Sequence, residues 1–125
     1  MTRVFLAIAA VLGALSVAGG SFAAHALKSQ LTERSLAIFE TGVRYQMYHA
    51  LALLMVALLL SRAEAGQPWL IASGVMFIAG VAIFSGSLYA LSLSGIKWMG
   101  AIAPIGGLAF LTGWALLALS ALSYK

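Results

Sequence analysis

The chain has 125 residues, 63% of them hydrophobic and 8% charged, whereas a soluble domain carries about 25% charged and about 45–50% apolar residues. So few charges cannot cover a water-facing surface, and the net charge of +4 comes from single basic residues at the ends of apolar blocks. That placement suits headgroup anchors and excludes a nucleic-acid footprint. With no cysteine, disulfides, thiolate metal sites and cysteine nucleophiles are excluded as well.

The apolar blocks are each roughly 20 residues long, enough to cross a hydrocarbon core of about 30 Å. The first predicted helix runs from about residue 4 to 24, behind Arg3. Gly13, Ser16, Gly20 and Ala24 share one of its faces, and small residues on a face let helices approach closely in lipid. Ser21-Phe22-Ala23 also fits a signal-peptide cleavage site, but one arginine and a long apolar run favour a retained span. The polar run Ser29–Ser35 follows. Thr32 is the expected N-cap of the second helix, about residues 33–60, with Glu33 favourable in its first turn. That helix is about 42 Å long at 1.5 Å per residue, so its first turns belong in the headgroup layer, and Gly42 is a candidate bend.

Residues 61–67 form a short polar loop. Pro68 suits the first turn of the third helix, about residues 69–93, and Trp69 is an interface anchor. Ala82, Gly86, Ala90 and Ser94 form its small-residue stripe. A turn at residues 94–97 leads to Trp98 and the fourth helix, about residues 99–122. Pro104 lies in its first turns, and Gly106, Ala109 and Gly113 make a third close-packing face. The expected fold is all-α: one membrane domain, residues 1–125, of four antiparallel transmembrane helices with short loops. Arg3, Arg62 and Lys125 fall at one end, and Lys28, Arg34 and Lys97 at the other. Arg44 tips the count to the second end, which puts both termini outside the cytoplasm.

The polar residues gather on the second helix. Thr41, Tyr45 and His49 recur every four residues and share a face, with Gln46 able to bond across helices. Glu40 and Arg44 form an i, i+4 pair in the favourable order. With a core edge near Thr41, His49 lies about 12 Å inside. A histidine at that depth needs a partner, and Ser85, Ser87 and Tyr89 of the third helix are candidates. His25 is level with Glu40–Tyr45 instead, and this offset argues against a shared haem. Two histidines without H-E-x-x-H spacing also make no zinc site. No metal or other cofactor is expected. His25, Glu40, Thr41, Arg44, Tyr45, Gln46 and His49 are the candidate polar network.

Two stretches, Gly20-Ser-Phe-Ala-Ala-His-Ala-Leu-Lys28 and Phe39-Glu-Thr-Gly-Val-Arg-Tyr-Gln-Met-Tyr-His-Ala-Leu-Ala-Leu-Leu54, resemble the YgdD/YwdK family of small membrane proteins. Ser21 and Ala23 depart from that family's Gly-Ala-Phe-Gly-Ala-His-Ala-Leu pattern. The resemblance implies a bacterial inner-membrane protein of three or four helices, and no known activity, substrate or cofactor. No nucleophile–base–orienter set can be read from the spacing, so no enzyme is expected. The expected role is structural or accessory, in a homo-oligomer or a larger membrane complex. The alternative is a small oligomeric transporter or proton conductance along Glu40, Tyr45 and His49.

Overall fold

Thr32 begins the longest element by accepting the Ser35 N–H on its hydroxyl at 3.1 Å, which satisfies one of the four amides a helix start leaves unpaired. A computed structural model describes all residues, Met1–Lys125. It contains four helices long and apolar enough to cross a membrane: α1 (Thr2–His25), α2 (Glu33–Arg62), α3 (Gln67–Ser94) and α4 (Lys97–Ser120). There are no strands. Gly66 and Gly95 supply the left-handed backbone at the α2–α3 and α3–α4 turns, with φ of 85° and 72°, a region that side-chain-bearing residues rarely adopt.

The loops are short, so successive helices run antiparallel. Helix α1 packs on α2, α4 packs on α3, and α2 and α3 form the centre. One end of the bundle carries the N-terminus, the α2–α3 turn and the C-terminus, where the Glu64 N–H donates to the Lys125 carbonyl at 2.7 Å. The main core contains Phe5, Leu53, Val56, Leu70, Phe77 and Phe110, and a smaller cluster of Ala23, Leu27 and Phe39 closes the opposite end. Most of α1 faces outward, as Val4, Val11, Leu15 and Val17 show. In lipid such a face costs nothing, because acyl chains are as apolar as leucine.

Two helices are less regular than expected. Val81–Ser85 in α3 is a π-helical turn between Gly80 and Gly86. Helix α4 opens with a 3-10 segment, Lys97–Ala101, and becomes α-helical only from Ala103. Pro104 lies at that junction, where its missing N–H and its ring disfavour a continuous α-helix from further upstream.

Glycines make the close approaches. A Cβ on Gly74 would enter the Phe5 ring, one on Gly80 the Phe110 ring, and one on Gly106 the Phe84 backbone. At Gly113 it would lie 2.6 Å from Phe77, and at Gly42 2.8 Å from Tyr89. Gly42 therefore serves as a seat for Tyr89 within the continuous helix α2. Gly20 makes only an ordinary contact, 3.7 Å from Val43. Two of the expected packing glycines do not pack: Gly13 and Gly86 face open space. Spacing of three or four residues marks a helix face but not the direction that face points.

Candidate functional site

Tyr45 and His49 lie one turn apart on α2, Phe77 and Phe84 lie seven residues apart on α3, and Phe110 and Trp114 lie four apart on α4. Each pair shares a helix face, and the three faces converge. His49, 4% exposed, is the hub. Its ring stacks on Phe110 with centroids 3.6 Å apart and planes 7° apart. Phe77 and Trp114 approach it at 5.5 and 5.8 Å. Tyr45 packs on Phe84 at 4.9 Å.

The polar contacts of His49 fix its tautomer. Its Nδ1 lies 2.7 Å from the Tyr45 carbonyl, which can only accept. Its Nε2 lies 3.1 Å from the Trp114 indole nitrogen, which can only donate. Hence Nδ1 carries the hydrogen and Nε2 offers the lone pair. Both nitrogens are engaged, so neither is free to ligate a metal. The expected partners were on the third helix, and the structure supplies one from α4 instead. The reason is local: Ser85 donates to the Gly42 carbonyl at 2.7 Å, Ser87 to its own helix at Phe84, and Tyr89 to Gln46.

A second polar centre lies one turn away on α2. The Gln46 amide donates to the Leu12 carbonyl of α1 at 2.9 Å, and its carbonyl oxygen accepts from the Tyr89 hydroxyl of α3 at 2.6 Å. Gln46 thus ties three helices with one side chain. Ser73 of α3 donates to the Gly113 carbonyl of α4 at 2.8 Å.

The seven network candidates do not form one network. Gln46 and His49 are buried and bond to different helices. Thr41 donates to the Ala37 carbonyl of its own helix. Glu40 and Arg44 form an exposed ion pair at 3.8 Å, a geometry worth at most about 1 kcal/mol. His25 is exposed at the end of α1. It makes no hydrogen bond to either of the centres built on Gln46 and His49, whose partners are Leu12, Tyr89, Tyr45 and Trp114. Trp114 belongs to the fourth apolar span and is not among the expected polar residues. Its four-residue spacing from Phe110, matching Tyr45 and His49, was the signal that could have found it.

A shallow groove of about 390 Å³ runs over this hub, lined by Tyr45, His49, Phe84, Phe110 and Trp114 among others. It opens on the outer surface, where Tyr45 is 39% exposed. The histidine of this aromatic-lined groove is already bonded at both nitrogens, so the lining offers a ligand mainly shape, stacking and the Tyr45 phenol.

A family model described as "Protein of unknown function (DUF423)" matches residues 19–107. The chain is similar to the UPF0382 membrane protein YwdK of Bacillus subtilis (strain 168), with 39% identity over 122 residues, covering 98% of each chain. It is also similar to the UPF0382 inner membrane protein YgdD of Escherichia coli (strain K12), with 37% identity over 124 residues, covering 99% of this chain and 93% of that one. No solved structure matches it.

Proposed function

Since the chain belongs to the DUF423 family and is an integral inner-membrane protein, we propose that it is a non-catalytic structural or accessory component of that membrane, acting in a homo-oligomer or a larger complex. One observation carries this reading. The buried polar side chains are all spent within the bundle, half of them on joining helices and the serines Ser16, Ser87, Ser92 and Ser120 on their own helices, and no buried side-chain nitrogen or oxygen lacks a partner. Gln46, His49, Ser73 and Ser85 each bond to another helix. A catalytic or transport site keeps convergent polar groups free for its substrate, and here they are committed to the scaffold.

Native mass spectrometry after extraction in the mildest effective detergent tests the proposal. A small multiple of the chain mass, or an added polypeptide, is expected. A bare monomer, with nothing cross-linked in cells, would overturn it.

The groove over His49 favours a second reading, an oligomeric transporter or proton conductance. The groove opens outward beside Tyr45, so a second copy could enclose it as a pathway. Proteoliposomes that leak protons, and lose the leak with His49→Ala, would support conductance over the accessory role.

A further inference from the structure

The geometry points to a binding site for the phosphate of an anionic phospholipid headgroup, in the groove where α2 begins and α3 turns into α4. The groove has a volume of about 470 Å³, and its lining includes Arg34, Ser35 and Ile38 of α2, Leu91 of α3, Gly95 of the turn and Lys97 at the start of α4. It is separate from the aromatic groove over His49, with which it shares no lining residue.

Three features select the ligand. The first is charge. Arg34 and Lys97 come from different elements and converge on one cavity, and neither is paired with a carboxylate, since the molecule's one ion pair is Glu40–Arg44. No acidic residue lines the groove, although Glu33 stands next to Arg34 in the first turn of α2. A guanidinium with its fork of donors, an ammonium and the Ser35 hydroxyl suit phosphate oxygens.

The second feature is depth. Arg34 is the second residue of α2, and Lys97 opens α4. Both are therefore at the level where apolar spans end and headgroups begin. Trp98, 64% exposed beside Lys97, is the residue type that marks this boundary. The third is the mixed character of the wall. Ile38 and Leu91 continue the lining from the cations toward the apolar spans. A phospholipid meets such a wall with its phosphate and then its glycerol-linked chains, whereas a free anion uses only the cations. Basic pockets between membrane helices at headgroup level bind anionic lipids in this way.

The full chain in mild detergent provides the test, with thermal unfolding and native mass spectrometry as readouts. Phosphatidylglycerol should raise the melting temperature and remain as a bound adduct, and phosphatidylcholine at equal concentration should do so far less. Arg34→Gln combined with Lys97→Gln should weaken phosphatidylglycerol binding roughly twenty-five-fold, from about a fivefold contribution per basic residue. Arg34→Lys with Lys97→Arg should retain most of the binding, and Arg3→Gln with Arg62→Gln at the opposite end should leave it intact. Both groove residues are exposed, so the lipid-free melting temperature of the double glutamine variant should match the parent. Equal stabilisation by the two lipids, or unchanged binding in that variant, would overturn the site. If inorganic phosphate alone reproduced the full effect, the assignment to a lipid would be overturned.

Discussion

His49 and Trp114 illustrate how a buried polar residue is kept at low cost. Each ring nitrogen of His49 meets a group of opposite character, so the imidazole enters the bundle with its hydrogen bonds already made. Trp114→Phe removes the one donor to Nε2 and is expected to lower stability by about 1–2 kcal/mol. Hydrogen bonds between membrane helices average about 0.6 kcal/mol, and a buried acceptor left without a partner adds its own cost. The double variant His49→Leu, Trp114→Phe should lose less than the sum of the single changes, because it strands no polar atom. A reversible unfolding titration of the four proteins checks this; strict additivity would deny the bond. Gln46→Leu, which cuts links to both α1 and α3, should cost about 1–2 kcal/mol on the same scale. The sequence marked Gln46 and His49 as polar residues at membrane depth. It could not name their partners, because the choice between α3 and α4 depends on how the helices are rotated. Only the assembled bundle fixes those rotations.

At the scale of the helix, the glycines divide into two kinds with opposite expected behaviour. Gly106 lies against the backbone of Phe84, within the π turn, and backbone cannot swing aside as a side chain can. Gly106→Ala should therefore separate α3 from α4 and destabilise the bundle by about 1–3 kcal/mol. Gly13 and Gly86 have nothing within 4 Å of a new Cβ. Alanine at either should be neutral or should stabilise the helix by up to about 1 kcal/mol. Thermal melts of the three variants separate the classes, and a destabilising Gly86→Ala would contradict the open space beside it. The four apolar spans were legible in the sequence because length and hydropathy alone define a membrane helix. The glycine stripes were only half legible: Gly106 and Gly113 lie at close contacts, while Gly13 and Gly86 do not. The π turn left no signal, since the pattern Val81–Ser85 is as apolar and regular as its surroundings. Yet this turn brings Phe84 against Gly106 and Ser85 to the Gly42 carbonyl, joining α3 to both neighbours at one level.

For the molecule as a whole, the antiparallel order makes a prediction that depends on no single contact. The N-terminus, the α2–α3 turn and the C-terminus occupy one end, tied by the Glu64–Lys125 backbone bond. The α1–α2 and α3–α4 turns occupy the other. The chain has no cysteine, so single cysteines introduced at Thr2, Glu64, Ser29 or Gly95 each report one position without background. In intact cells, a membrane-impermeant thiol reagent should label one pair, Thr2→Cys and Glu64→Cys, or the other, Ser29→Cys and Gly95→Cys, but never one member from each. Full labelling of one member of a pair with its mate fully protected would mean a different number of crossings. Which pair reacts also tests the charge argument. Three of the seven basic residues lie at the terminal end and three at the turn end. Arg44 lies on the turn side of α2, exposed and paired with Glu40. If that residue decides the balance, the turn end is cytoplasmic, and Thr2→Cys and Glu64→Cys are the positions that label from outside. Reversing Arg44 to glutamate removes the excess, and the labelling pattern should then become mixed across the population as the two orientations approach equal cost.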